Sequence, residues 1–194
     1  MPDLLPIRIT ICGFAELAEE CCVRPSHVLS LLDPDVPVPP ELAPFGENQR
    51  LELRFHDIID EEPGMCPPEP EHSQLLRLGR NVLTSAADDR HLVIHCHAGF
   101  SRSPAAFAVF LAQAQPSLPA ETIAAEVLRI RPNAWPNLRI MELGDRILGR
   151  RGELVEAASA IYSQRLEQQR GLAELIIANG RRREVEAGRS WERQ

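Results

Sequence analysis

The 194-residue sequence contains no lysine, so all 21 of its basic side chains are arginine. Without lysine the chain cannot form a phosphate-binding loop of the G-x-x-x-x-G-K type or a Schiff base on a lysine amine. No apolar run approaches the roughly 20 residues of a membrane-spanning helix. The formal net charge of −7 argues against nucleic acid or an anionic membrane surface as a partner. We therefore expect neither.

The cysteines lack the patterns of a disulfide framework or a zinc site. They are odd in number, two are adjacent and none belongs to a C-x-x-C pair: Cys12, Cys21, Cys22, Cys66 and Cys96. Free thiols are typical of a reducing compartment. The N-terminus also lacks a signal-peptide pattern, because Asp3 occupies the place of a basic region and Arg8 interrupts the apolar run. These features predict a cytoplasmic protein that uses no metal and no other cofactor.

Four short segments show the residue pattern of β-strands. Ile7, Ile9 and Ile11 alternate with polar residues and predict the first strand. Further strands are predicted at 27–32, 51–55 and 91–95, and the last is nearly all apolar, as a central strand is. Helices are predicted between and after them, at residues 15–22, 71–87, 104–114, 119–130 and 138–148. This order predicts an α/β fold with a central, mainly parallel sheet of four to five strands flanked by helices.

Residues 151–194 differ in pattern from residues 1–150, which we predict to form the main domain. A helical pattern extends from Glu153 to Ala178, and a polar stretch with three consecutive arginines follows it (Arg181, Arg182 and Arg183). We interpret this region as a helical extension packed on the domain, ending in a frayed polar tail. The alternatives are a lid, or a dimerisation helix that would make the protein a homodimer.

The segment from His95 to Pro104 joins the fourth predicted strand to a helix and has the residues of an anion-binding loop. Backbone amides in a tight strand-to-helix loop form an anion nest, and the helix adds its positive N-terminal end. Gly99 permits a backbone conformation that other residues resist. Arg102 can bind two phosphate oxygens with its planar guanidinium. The segment therefore predicts a phosphate site.

Cys96 begins this loop, where the positive field favours the thiolate, the nucleophilic form of cysteine. The sequence thus predicts a sulfur nucleophile directed at a phosphorus atom whose oxygens are held by the loop and by Arg102. Ser103 is placed to donate a hydrogen bond to the sulfur and help it leave in a second step. The alternative interpretation is a buried structural cysteine followed by an unrelated surface arginine.

His95 to Ser103 resembles the H-C-x-x-G-x-x-R-[S/T] signature of the protein tyrosine phosphatase superfamily, and is most similar to its dual-specificity-like branch. Arg131 to Asn137 resembles the R-P-x-x-x-P-N stretch of that branch. The resemblance implies that Cys96 is the nucleophile, that Arg102 binds phosphate and that Ser103 assists breakdown of the cysteinyl-phosphate. His95 would support the loop, whose remaining residues would bind the substrate: His97, Ala98, Gly99, Phe100 and Ser101.

Expulsion of a tyrosyl or seryl oxygen requires a proton donor, and the resemblance implies an aspartate on a loop before the cysteine. Asp57 directly follows the third predicted strand, which places it at the same edge of the sheet as Cys96. Asp60, three residues later, is the alternative general acid. The same aspartate would afterwards act as the base that activates water.

These features favour a phosphatase acting on phosphotyrosine proteins or peptides, with activity on phosphoserine and phosphothreonine as a broader alternative. A phosphoinositide or RNA 5′-phosphatase on the same scaffold is a second alternative. The variable positions of the loop argue against a highly charged substrate, since they hold no arginine: His97, Ala98, Phe100 and Ser101. A sulfurtransferase, an arsenate reductase and an inactive phospho-binding module are more distant alternatives.

Overall fold

The computed structural model describes residues 4–46, 49–68, 82–83 and 90–191. At its centre four strands form one sheet in the order β1-β4-β2-β3: β1 (Arg8–Cys12), β2 (His27–Leu32), β3 (Arg50–Arg54) and β4 (His91–His95). All three strand pairings are parallel. The structure confirms the predicted α/β fold with its parallel sheet, and β3 begins one residue earlier than predicted.

Strand β4 lies in the middle of the sheet, with Ile94 paired to Ile11 of β1 and to Leu29 of β2. All five of its residues are buried, which fits an apolar strand covered on both faces. Leu92 and Ile94 point into a large hydrophobic cluster, whereas Val93 belongs to a smaller cluster on the other face. The segment that follows β4 therefore starts from the most constrained part of the fold.

Helices cover both faces of the sheet. The described residues form one 3-10 helix (Pro40–Leu42) and seven α-helices: α1 (Phe14–Cys22), α2 (Arg102–Ala114), α3 (Ala120–Ile130), α4 (Leu138–Leu148), α5 (Glu153–Gln168), α6 (Leu172–Ala178) and α7 (Arg182–Trp191). Helix α2 is buried from Arg102 to Ala112, as its alanine and phenylalanine content suggests. The helix predicted at 71–87 lies outside the described residues, apart from 82–83, which are helical.

The C-terminal region differs from its prediction in two respects. The single helix expected from Glu153 to Ala178 is divided into α5 and α6, because Gln169 has an extended backbone (φ −130°) and Gly171, the N-cap of α6, is left-handed (φ +81°). Instead of a polar tail, residues 182–191 form helix α7. This helix packs closely on α5, since a Cβ atom on Gly188 would lie 2.7 Å from the Cβ atom of Tyr162. The sequence did not predict α7, because its charged residues outnumber the apolar residues of its one buried face.

None of the helices in the described ranges combines the length and the hydropathy that crossing a bilayer requires.

Candidate active site

The loop from Cys96 to Ser101 connects β4 to α2 at the carboxyl end of the sheet and rests directly on the end of β1. Gly99 has φ +65°, and a Cβ atom there would lie 2.6 Å from the carbonyl carbon of Cys12. A Cβ atom on Gly13 would likewise lie 2.7 Å from the carbonyl carbon of Ala98. Both glycines are therefore required by the close approach of two backbone segments.

Arg131 holds the outer side of this loop. Its Nε and Nη2 atoms donate to the carbonyl oxygens of Gly99 (3.1 Å) and Ala98 (3.3 Å). Its Nη1 atom donates to Glu16 at 2.7 Å, and this hydrogen bond is the main reason that the pKa of Glu16 is lowered. Because the C=O and N–H groups of a trans peptide point in opposite directions, the next amides face away from Arg131. Arg131 thus helps to form the anion nest.

The two residues predicted to perform the chemistry are both buried at the ends of the loop. Cys96 and Arg102 are each 2% exposed. The Sγ atom of Cys96 lies 3.2 Å from the hydroxyl oxygen of Ser103, which places Ser103 beside the sulfur. The geometry brings Ser103 into the position that the sequence predicted for it.

Arg102 is held by a carboxylate that sequence reasoning missed. Its Nη1 atom donates to Oδ1 of Asp33 and to the carbonyl oxygen of Phe55, each at 2.8 Å. Its Nε atom is buried and has no hydrogen-bond partner among the described residues. This buried donor is therefore free to pair with a bound anion. Asp33 comes directly after β2, and Asp57 comes three residues after β3, so both lie at the carboxyl end of the sheet. This place at a strand end was the signal that could have identified Asp33.

Burial controls the protonation of the two groups next to Cys96 in the fold. It lowers the pKa of His95 to about 4, and the nearby charge of Arg102 adds to this effect. His95 is therefore neutral near pH 7, with its Nε2 atom 2.7 Å from the hydroxyl of Ser30. Burial also raises the pKa of Cys12 to about 12, so this thiol stays protonated beneath the loop.

Asp57 is connected to the loop and to the start of α4. Its Oδ1 atom accepts hydrogen bonds from the hydroxyl of Ser101 (2.7 Å) and from the Nδ2 atom of Asn137 (2.9 Å). Asn137 is also the N-cap of α4, since its Oδ1 atom accepts from the amide of Ile140 at 3.0 Å. The side-chain amide of Asn137 therefore caps α4 through its oxygen and holds the carboxylate of Asp57 through its nitrogen.

Asp60 occupies a different environment. Its side chain is 52% exposed and pairs with Arg183 at 2.8 Å. Asp57, in contrast, contacts the loop itself. The structure thus separates the two aspartates that the sequence left as alternatives.

The predicted substrate-binding residues do not all face the same way. His97 is exposed, and its ring lies 4.8 Å from that of Phe14. Phe100 is partly buried against the main hydrophobic cluster. The side chain of Ser101 is buried and points toward Asp57 instead of toward open space.

Arg181 was also missed by the sequence reasoning, which placed it in a polar tail. It is 8% exposed, and its Nη2 atom donates to the hydroxyl of Ser101 at 2.8 Å. Its Nη1 atom lies 3.7 Å from Oδ1 of Asp57. The sequence does not distinguish Arg181 from the two arginines that follow it, although Arg182 and Arg183 are exposed in the structure.

Comparison with known proteins identifies the fold. No protein-family model matches the sequence, and no curated protein matches it. Among solved structures, the chain is similar to Tk-PTP in its active form, with a TM-score of 0.51 and 23% identity over 74% of this chain and 92% of the other. The chain has the protein tyrosine phosphatase fold.

Two further structures support this assignment of the fold. The PTP-2 phosphatase of Cydia pomonella matches with a TM-score of 0.51 and 20% identity over 70% of this chain and 83% of the other. The Yvh1 phosphatase domain from Chaetomium thermophilum matches with a TM-score of 0.50 and 22% identity over 73% of this chain and 90% of the other. About a quarter of this chain lies outside each match.

Proposed function

We propose that this protein hydrolyses phosphate monoesters through a cysteinyl-phosphate intermediate on Cys96. One observation carries the proposal: a buried thiol and a buried guanidinium lie at the two ends of a strand-to-helix loop, and the Nε atom of Arg102 has no hydrogen-bond partner within the described part of the chain. Such a loop binds a phosphate group through its amides and through the helix N-terminus. The phosphatases with the same fold agree with this chemistry.

In the first step the thiolate of Cys96 attacks phosphorus, so that an S–P bond forms while the P–O bond to the leaving group breaks. The leaving oxygen takes the electron pair of that bond and a proton from Asp57. Arg102 stabilises the charge on the equatorial oxygens, with its orientation held by Asp33 and by the carbonyl of Phe55.

In the second step a water molecule attacks phosphorus and transfers a proton to the carboxylate of Asp57. The S–P bond breaks, and its electron pair returns to the sulfur of Cys96. The hydroxyl of Ser103, 3.2 Å from that sulfur, stabilises the departing thiolate. The products are inorganic phosphate and the free enzyme.

We assign the general acid to Asp57. Its contact with Ser101 couples its carboxylate to the loop that would hold the substrate. Asp60 is instead engaged in an exposed ion pair with Arg183, and no contact between its carboxylate and the loop is found among the described residues. Proximity to the reacting group is the first requirement of a general acid, so the contact with the loop favours Asp57.

The substrate we propose is a phosphotyrosine protein or peptide, with phosphoserine and phosphothreonine as further substrates, in the cytoplasm. The absence of arginine at the loop's variable positions and the net charge of −7 disfavour inositol phosphates and RNA. A homodimer through the C-terminal helices stays a prediction. The buried residues of α7, including Glu184, Val185 and Gly188, face the protein's own core.

A substrate panel tests this proposal. It compares a phosphotyrosine peptide, a phosphoserine peptide, a phosphoinositide and a 5′-phosphorylated RNA, with Cys96→Ser as the background control. The highest kcat/KM is expected on the phosphotyrosine peptide, without any added metal. Preference for the lipid or the RNA would select the alternative substrate class, and no phosphate release from any of the four would contradict the proposal.

A further inference from the structure

We propose that Arg181, supplied by the C-terminal segment, is a positioning residue that fixes the carboxylate of Asp57 against the phosphate-binding loop. This inference rests on the proposed phosphatase function. Arg181 lies just before α7, in the region beyond residue 150 that the sequence separated from the main domain. Its guanidinium nevertheless reaches the loop that contains Cys96.

The direction of the hydrogen bonds from Arg181 is determined by its chemistry. A guanidinium can only donate, so the hydroxyl oxygen of Ser101 must accept from Arg181 at 2.8 Å. The hydroxyl proton of Ser101 is then directed to Oδ1 of Asp57, 2.7 Å away. Arg181 thereby orients a serine whose hydroxyl would otherwise be free to rotate.

The same carboxylate oxygen receives all the described contacts of Asp57. Ser101 and Asn137 donate to Oδ1, and the Nη1 atom of Arg181 lies 3.7 Å from it. The rotation of the carboxyl group is thus fixed with Oδ1 inward, and Oδ2 is the atom left to carry the transferred proton. A general acid is effective only when its proton is held within reach of the leaving oxygen.

The position of Arg181 is itself fixed by a buried partner. Burial opposes its charge, but Glu184 and Asp57 outweigh that effect and raise the pKa of Arg181. Glu184 is fully buried and binds Arg181 at 2.7 Å. It also accepts hydrogen bonds from the indole of Trp135 and from the amide of Leu138. Arg181 is therefore a rigid part of the site.

Two matched substitutions separate positioning from a general loss of structure. Arg181→Met removes the charge and the donors but keeps an apolar stem, and Arg183→Met makes the same change at an exposed ion pair two residues away. Each is assayed with p-nitrophenyl phosphate, whose leaving group departs with little help, and with phenyl phosphate, whose leaving group needs a proton.

Arg181→Met should lower kcat about ten- to hundredfold on phenyl phosphate and less than about threefold on p-nitrophenyl phosphate, with KM little changed. Arg183→Met should match the wild type on both substrates. An equal loss on the two substrates, or no loss, would overturn the positioning role alone. A wild type without activity on either substrate would instead overturn the proposed phosphatase and this inference together.

A second pair of variants covers the case in which Arg181→Met does not fold. Arg181→Met with Glu184→Gln removes both buried charges, so no unpaired carboxylate remains in the core. Arg181→Lys keeps the charge. The double variant should show the same dependence on the leaving group, and Arg181→Lys should restore part of the activity on phenyl phosphate. The inference is wrong if the folded double variant treats both substrates as the wild type does.

Discussion

The proposed phosphate-binding loop and the C-terminal segment differ in how much of their role the sequence reveals. In the loop, residues 96–103 are adjacent in the sequence, and the spacing of Cys96 and Arg102 already indicates their chemistry. In the segment from Arg181 to Trp191, the residues look like a solvated tail, yet Glu184 is fully buried and Arg181 contacts Ser101. Residues whose spacing is local, such as Cys96 and Arg102, can be recognised in a sequence. A contact between residues 80 positions apart, such as Arg181 and Ser101, cannot.

The strongest test of this contrast is removal of the nucleophile. Cys96→Ser should lower kcat/KM by about 10⁵-fold or more, because a hydroxyl is a far weaker nucleophile than a thiolate. The exposed Cys66→Ser change is the control and should leave activity unaltered. Hydrolysis of p-nitrophenyl phosphate measures both. Loss of activity in the Cys66 variant instead would place the nucleophile elsewhere.

The second test addresses the C-terminal segment. Glu184→Ala should lower the free energy of unfolding by about 3 kcal/mol, because it removes the carboxylate 2.7 Å from the buried Arg181 and leaves the buried amide of Leu138 without its acceptor. Glu186→Ala, an exposed change on the same helix, should have an effect within about 0.5 kcal/mol. Urea denaturation compares the two. Equal stabilities would mean that this segment is a solvated tail after all.

The third test compares the two aspartates. Asp57→Asn should reduce kcat by about 10²-fold and abolish the basic limb of the pH profile, since the proton donor is lost. Asp60→Asn should change kcat by less than about threefold, because it affects only an exposed ion pair. The kcat/KM–pH profiles of both variants decide the assignment, and the reverse result would make Asp60 the general acid.

The smallest effect is expected from the buried histidine behind the loop. Because the pKa of His95 is lowered to about 4, the unfolded state binds more protons than the folded state between pH 6.5 and 4. Stability should therefore fall by about 2 kcal/mol as pH falls from 7 to 5. His95→Asn should remove this part of the pH dependence in denaturation at both pH values. An unchanged pH dependence would show that His95 is not buried in its neutral form.

Much of the fold could be predicted because the signals are local. The strands at 27–32 and 91–95 and the helix at 138–148 have the bounds that their apolar patterns predicted. The break between α5 and α6 could not be predicted, because a glycine such as Gly171 is tolerated inside a helix and does not by itself mark a boundary. Helix α7 was missed because half of its residues are charged and its buried face is narrow.

The residues of the candidate site likewise fall into those that the sequence predicts and those that it does not. The positions of Cys96, Ser103 and Arg102 follow from one loop. The partners of Asp33 and Arg181 are distant in the sequence: Asp33 lies 69 residues from Arg102, and Arg181 lies 80 residues from Ser101. Only Asp33 has a signal in the sequence, its place at the end of a strand. Hydrogen bonds of this kind depend on the packing of helices and strands, so no spacing rule predicts them.

In the proposed reaction the phosphoryl group passes through the sulfur of Cys96. We would measure this by rapid quenching of the wild type in alkaline denaturant during turnover of p-nitrophenyl phosphate, followed by peptide mass spectrometry. We expect one phosphoryl group on the peptide that contains Cys96, and none in Cys96→Ser. A phosphoryl group on another residue, or the same label in the Cys96→Ser variant, would contradict it.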